Sequence, residues 1–369
     1  MSGHLEPIRL PANQPPQFYR GGDAIAALRG ASPEGTDASP AGESTSDVYG
    51  PEDWVGSATA MFGQETTGLT KLPSGVWLRD AVRENPSAWL GAKHVEALGD
   101  STGLLVKLLD AGQRLPVHFH PSDSFAKRHF DSHFGKTEAW IVVGTYGDDP
   151  RVYPGFKETV DKATVNEWAR AQDAPAMLGA LNSVAVTPGD TVHIPAGLPH
   201  AIGEGVFVVE LQQPTDFSLT LEWRDFLPNP EKAHLGIGFE TAIETLDTSG
   251  WDEERLGSIV KRTAGDHAST VDLLADGSDA FFRADRLRPA GSGKSTTLSL
   301  DPSFAVLVVM DGSGTLRTEH GGEFALRKGE TYVVPHDAGQ STVEGEVTII
   351  RCRPPAPEKR GDTYPSPPT

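Results

Sequence analysis

The chain has 369 residues, which at roughly 150 residues per domain predicts about two domains and a sizeable core. With 51 acidic against 32 basic side chains its formal charge is −19, a field that repels nucleic acid and anionic lipid. No run approaches the ~18 consecutive apolar residues of a membrane span, and the single cysteine, Cys352, excludes an internal disulfide and a cysteine-built metal site.

The first residues (MSGHLEPIRL) lack the basic-then-apolar pattern of a secretory leader. The expectation is a soluble, cytoplasmic protein with no nucleic-acid or membrane partner. Residues 1–50 read as an N-terminal extension carrying a flexible loop over 31–47, whose small polar residues bury too little to hold an element. Its flanks, Phe18 to Leu28 and Trp54 to Phe62, carry enough apolar side chains to be ordered. Residues 78–98 have helical spacing broken at Pro86.

From about residue 103 the pattern changes to short apolar runs between Gly/Pro turns. These predict strands at Leu104–Leu109, Val117–His120, Trp140–Val143, Val184–Val186, Thr191–Ile194 and Val206–Leu211, as in an antiparallel barrel or jelly roll. Residues 158–183 interrupt them with a helical pattern (Val165, Trp168, Met177, Leu178, Leu181), and 226–278 read as a helical and loop connector that includes a helix from Glu254 to Arg262. A second strand series follows at Ala280–Arg283, Thr296–Leu300, Phe304–Met310, Gly314–Thr318, Thr331–Val334 and Val347–Arg351. The Pro-rich tail, 354–369, is expected to fray. Gly189 to Pro195 and Gly329 to Pro335 share the pattern Gly-(Asp/Glu)-Thr-x-x-x-Pro, which points to an internal duplication of one β unit.

His118 and His120 stand two apart, so on a strand both imidazoles face one side. Glu138 opens a later strand, and His200 closes the turn that begins at Pro195. Three imidazoles and a carboxylate suit Zn(II), Mn(II) or Fe(II) with positions left open for a substrate. Other candidates fall away. His129 and His133 are four apart but lack the neighbouring Glu of a zinc-protease helix. His193 lies off the pattern and reads as a wall residue. Gly291 to Thr296 imitates a phosphate-binding loop, but Arg288 stands where that loop needs Gly, so it reads as a turn. The second unit has no His-x-His pair; His320 and His336 stand alone, and the unit reads as a metal-free structural partner.

His118-x-His120, the later Glu138 and Gly189-x5-Pro195-x-Gly197-x2-His200 resemble the two metal-binding motifs of the cupin superfamily. The resemblance to the type I mannose-6-phosphate isomerase family is closer still. It runs through Leu104–Pro121, Asp123–Arg128, Gly135–Trp140, Gly155–Glu158, Ile194–Gly197, His200–Gly203 and Glu210–Gln213, and covers roughly 50–350. It implies a mainly β fold of two cupin-type jelly-roll barrels, a bicupin. Residues 51–225 would form the metal-binding cupin domain with the 158–183 helical insertion, and 279–353 a degenerate C-terminal cupin domain. It implies one divalent metal ion held by His118, His120, Glu138 and His200, with zinc the family's choice. Lys136 and Lys107 would line the sugar site, and Glu210 would transfer a proton.

The implied reaction is aldose–ketose isomerisation through an enediolate, of mannose 6-phosphate to fructose 6-phosphate or of a related sugar. Two positions depart from the family. His118 stands where it usually has Gln, which would shift metal preference toward manganese or iron. Thr220 stands where it has a catalytic Arg, four residues after Asp216. Arg224 is four residues further on, roughly 13 Å along a strand, too far to substitute in place. Losing that fork points toward a sugar without phosphate, since Arg binds phosphate through two parallel bonds. Two other classes match the same residues: a metal-dependent cupin oxidoreductase or dioxygenase, and a non-catalytic sugar-binding regulator. Sequence alone does not set the oligomeric state.

Overall fold

The computed structural model describes residues 4–30, 50–289 and 297–359. The loop expected over 31–47, the turn at Gly291–Thr296 and the tail beyond 359 lie outside them. Within the described residues the architecture is mainly β, with short helices before and between the sheets.

Two antiparallel sheets build the N-terminal half. The first has six strands in the order Val260–Arg262, Asp190–Ile194, Glu138–Thr145, Val206–Gln212, Leu105–Ala111 and Glu52–Val55. The second has five, in the order Leu219–Thr220, His118–Phe119, His200–Ile202, Arg151–Pro154 and Val184–Ala185. Both sheets remain open at their edges.

The central strands Leu105–Ala111 and Val206–Gln212 are buried along their whole length, because both faces are covered. Alternation sorts their side chains. Val106, Leu108, Val209 and Leu211 share a core with Leu78, Val82, Phe304 and Val306, whereas Leu109, Ala111, Val206 and Val208 pack with Trp140, Ile194 and Ile202. The second face is the one turned toward the five-stranded sheet. On that face, where period-two alternation demands an apolar side chain, stand Lys107 and Glu210, directly opposite each other in register.

The helical stretches are set by local signals. The helical pattern is broken at Pro86, as expected, and Pro86 begins the next helix: Leu78–Glu84 ends, Pro86–Leu90 starts, and the Asn85 side chain accepts the Ala88 N–H at 3.4 Å. The interruption predicted over 158–183 folds as Lys162–Ala171 and Ala174–Ala180, N-capped by Asp161 and Asp173. These helices bury Val165, Ala169 and Met177 against Phe156 and Leu246.

The connector departs from the expected helix and loop. Its helix Glu253–Ile259 ends early, Val260–Arg262 becomes the edge strand of the first sheet, and Thr270–Asp272 pairs with Arg283–Leu287. Three-residue strands carry too little periodicity to be recognised without their partners.

The C-terminal sheet has eight strands along the path Ile8–Arg9, Thr331–Val334, Ala305–Thr318, Ser341–Arg353, Arg283–Leu287 and Thr270–Asp272, with Leu298–Leu300 and Gly322–Arg327 paired alongside. Three features differ from the sequence reading. Residues 278–280 form a 3-10 turn, so the strand expected at Ala280–Arg283 begins at Arg283. The two strands expected at Phe304–Met310 and Gly314–Thr318 are one bent strand, with a bulge between Val309 and Asp311. The N-terminal extension docks through Ile8–Arg9 on Thr331–Val334.

The repeated Gly motif has a physical reason in each half. Gly189 and Gly329 adopt φ of 99° and 82° just before their strands, and a Cβ on Gly329 would lie 2.1 Å from the Leu28 carbonyl oxygen. No helix among the described residues is long and apolar enough to cross a membrane.

Candidate metal centre

The short strand His118–Phe119 is held between two partners, with His118 opposite His200 on one side and Thr220 on the other. His120 follows just beyond its end, and its backbone carbonyl accepts the Gly197 N–H at 2.8 Å, tying it to the turn that leads to His200. The three histidines' ligand atoms lie within 4.8 Å of one another.

Their tautomers follow from their backbone partners. His118 Nδ1 lies 2.8 Å from the Pro116 oxygen, His120 Nδ1 2.8 Å from that of Phe217, and His200 Nδ1 2.8 Å from that of Leu198. A carbonyl only accepts, so each Nδ1 carries the proton and each Nε2 presents a lone pair. His118 Nε2 and His200 Nε2 then face each other at 3.0 Å, a repulsive arrangement unless a cation lies between the lone pairs.

Glu138 enters from the opposing sheet. Its Oε1 is 3.3 Å from His200 Nε2 and accepts the Trp140 indole N–H at 3.0 Å. Its Oε2 is 3.1 Å from His120 Nε2 and 3.0 Å from Lys136 Nζ. His120 Nε2 is buried without a hydrogen-bond donor. Burial holds the His118 imidazole well below its ordinary range, reinforced by His200 and His120, and brings His120 down to about 3. Burial works to raise Glu138, but Lys136 and the histidines outweigh it and keep the carboxyl well below its usual range. Neutral imidazoles, one of them with an orphaned Nε2, and an ionised carboxylate fit a divalent cation.

Beside this cluster runs a narrow cleft of about 60 Å³ lined by Lys107, Lys136, Glu138, Glu210 and His118. Lys107, expected to line the sugar site, does face inward. Lys107 is 4 % exposed, and its Nζ lies 3.3 Å from Glu52 Oε2, 4.0 Å from Glu210 Oε1 and 4.8 Å from the Trp54 ring centre. Burial opposes its charge, but Glu52 and Glu210 more than offset this and raise its pKa. Lys136 Nζ lies 3.9 Å from Glu210 Oε1. Burial pushes Glu210 up to about 8; Glu138 and Glu52 add to this, and the two lysines oppose it.

Two cleft residues, Glu52 and Asp216, escaped the sequence reading as functional groups. Glu52 accepts Tyr19 O–H at 2.6 Å, Trp54 indole N–H at 2.7 Å and Gln17 Nε2–H at 2.9 Å. Asp216 also faces the cleft, its Oδ2 accepting the Phe62 N–H at 3.0 Å. The available signal was a charged residue two before a tryptophan in the run Glu52–Val55, which puts Glu52 and Trp54 on one face. Arg224 does not reach the cleft; its guanidinium lies 6.0 Å from the Trp223 ring. His193 is half-buried on the outer side, with Nδ1 3.1 Å from Ser278 Oγ. His320, expected to stand alone, stacks on His4 at 4.0 Å.

Comparison with known proteins places the chain. Residues 292–354 match the family model described as mannose-6-phosphate isomerase, cupin domain. The mannose-6-phosphate isomerase ManA of Bacillus subtilis is 27 % identical over 331 residues, covering 82 % of this chain and 96 % of that protein. Over most of its length the chain is similar to mannose-6-phosphate isomerases. The crystal structure of the B. subtilis mannose 6-phosphate isomerase superposes with a TM-score of 0.67 at 21 % identity, over 95 % of this chain and 100 % of that one. A mannose 6-phosphate isomerase bound with zinc and yttrium superposes at 0.68 with 16 % identity, over 95 % and 100 %. These likenesses carry the fold. This chain carries an imidazole at position 118 and a neutral hydroxyl at position 220, the two places where its sequence departs from the pattern it resembles.

Proposed function

We propose that the chain is a metal-dependent aldose–ketose isomerase acting on a sugar of the mannose-6-phosphate class or a close relative of it. Its ligands would be His118, His120, Glu138 and His200 in a metal-binding jelly-roll unit spanning 51–225. The C-terminal unit, 279–353, would be a metal-free jelly-roll partner, the two joined by the 226–278 connector. A cytoplasmic setting agrees with the single buried thiol and the acidic surface.

One observation carries this reading: three Nε2 lone pairs and an ionised carboxylate converge beside a cleft that also holds two lysines and a protonatable glutamate. A divalent ion bound there would supply Lewis-acid polarisation of the substrate's carbonyl and adjacent hydroxyl. The remaining work belongs to the chain. Glu210, raised toward neutrality, would take the proton from the carbon next to the carbonyl and return it to the adjacent carbon. Lys136 and Lys107 would face the negative charge that builds up in the enediolate, with the buried Trp54 ring beside Lys107 and Trp140 behind Glu138 lowering the local dielectric. Trp140 and the Pro116, Phe217 and Leu198 carbonyls would hold the ligands in their tautomers and rotamers.

The test is His120→Ala in the full chain. Bound divalent metal, measured by elemental analysis, and aldose–ketose interconversion, followed by NMR, should fall together to background. A variant that keeps both removes His120 from the ligand set.

A further inference from the structure

The charges facing the cleft are unbalanced for an anion. Four carboxylates, Glu52, Glu138, Glu210 and Asp216, share it with two ammonium groups, Lys107 and Lys136, and no arginine lines it among the described residues. Both ammonium groups already have carboxylate partners, Lys107 with Glu52 at 3.3 Å and Lys136 with Glu138 at 3.0 Å. With Glu210 in the ionised form that acts as the base, a divalent ion at the histidines would bring the formal sum to zero, leaving no positive surplus.

Two arginines of this half of the chain have other contacts. Arg114 forks onto Glu222 at 2.7 and 2.6 Å. Arg224 lies over the Trp223 ring. Ser218 and Thr220 line the cleft but bring only hydroxyls.

We infer that this cleft, on the isomerase reading above, selects an uncharged polyhydroxy sugar and turns away the corresponding phosphate ester. A sugar hydroxyl donates, and the cleft offers it an acceptor that lacks a donor: Glu210 Oε1 is buried with no hydrogen-bond partner. A phosphate dianion only accepts. To be held, it must share Lys107 or Lys136 with the carboxylate already paired to it, with no surplus positive charge to offset the added repulsion.

Two measurements on the metal-replete full chain test this. Interconversion of free aldoses and ketoses (mannose, fructose, glucose, xylose and lyxose) is compared by NMR with that of the 6-phosphates of the hexoses. The free sugar should lead in kcat/KM by at least about 100-fold; parity or a lead for the phosphate overturns the inference while sparing the isomerase reading. Calorimetric binding of mannitol, xylitol and mannitol 6-phosphate, none of which can isomerise, gives a readout independent of turnover. A free polyol should bind at least about tenfold tighter than the phosphate. A phosphate that binds as well, or no binding by either polyol, overturns it. Failure of every sugar to interconvert while a polyol still binds tighter ends the isomerase reading alone. Thr220→Arg, checked for an unchanged melting transition, should narrow the polyol-to-phosphate affinity gap at least about tenfold by placing a guanidinium in the cleft; an unchanged gap counts against the charge argument.

Discussion

Replacing Lys107 with Met removes one charge from the buried wall of the cleft and keeps most of the side-chain volume. The ammonium lies 3.3 Å from Glu52 and 4.0 Å from Glu210. At an effective dielectric of ~20 the Glu52 separation corresponds to ~5 kcal/mol of attraction, and the Glu210 separation to ~4 kcal/mol when that carboxyl is ionised. Most of this is offset by the desolvation of a lysine that is only 4 % exposed. What the variant exposes is the other side of the pair, because Glu52 loses its countercharge while remaining buried. Three donors, from Tyr19, Gln17 and Trp54, still solvate Glu52. The net loss is therefore placed at about 2–4 kcal/mol, toward the lower end of what breaking a buried pair costs.

The assay is urea unfolding followed by tryptophan fluorescence, with Trp54 as a local reporter. It is run as a cycle with Glu52→Gln and the double variant. The double variant should recover about 2 kcal/mol relative to the sum of the singles. A Lys107→Met loss below about 1 kcal/mol, together with additive singles, would refute the view that this pair is formed and dry in the folded protein.

Other consequences can be checked directly. Glu210→Gln should lower kcat by about 10²–10⁴-fold while leaving bound metal unchanged, since the side chain lies in the cleft but outside the proposed ligand set; loss of metal alongside activity would argue against the assigned role. Cys352 is fully buried and burial pushes its thiol far above its ordinary range, so a chromogenic disulfide reagent should label the native chain at least about 100-fold more slowly than the chain in guanidinium. Burial holds His193 down to about 4, against roughly 6.5 in the unfolded chain. The unfolded state therefore takes up the proton first, and this contribution to stability is complete above about pH 6.5 and lost as pH falls toward 4. His193→Gln should flatten that limb of the stability curve; equal steepness in the two proteins would show that another group is responsible.

The core of the site was legible because its signals are local. An i, i+2 histidine pair on a strand faces one way whatever the fold, and Leu104 to Leu109 is apolar enough to announce a buried strand, with Lys107 as the visible anomaly. Glu52 and Tyr19 gave no such signal. They sit 33 residues apart in sequence and meet only when the segment near Tyr19 is laid against Glu52–Val55. The two-residue strand Ile8–Arg9 and the three-residue strand Val260–Arg262 exist because a sheet edge offers them hydrogen bonds, so no property of their own residues predicts them.

The residue types and their spacing along the chain were enough to determine the β periodicity, the repeated Gly turn before a strand and the identity of the imidazoles and carboxylate that could share an ion. Tertiary structure alone decided the electrical character of the space around them. Whether Lys107 looks inward or outward depends on which face of its strand meets the second sheet. Whether its charge stays available to a ligand depends on Glu52, brought beside it by pairing between Glu52–Val55 and Leu105–Ala111. Periodicity is a property of neighbours in sequence, whereas the balance of charge in a cleft is a sum over elements that become neighbours only after folding.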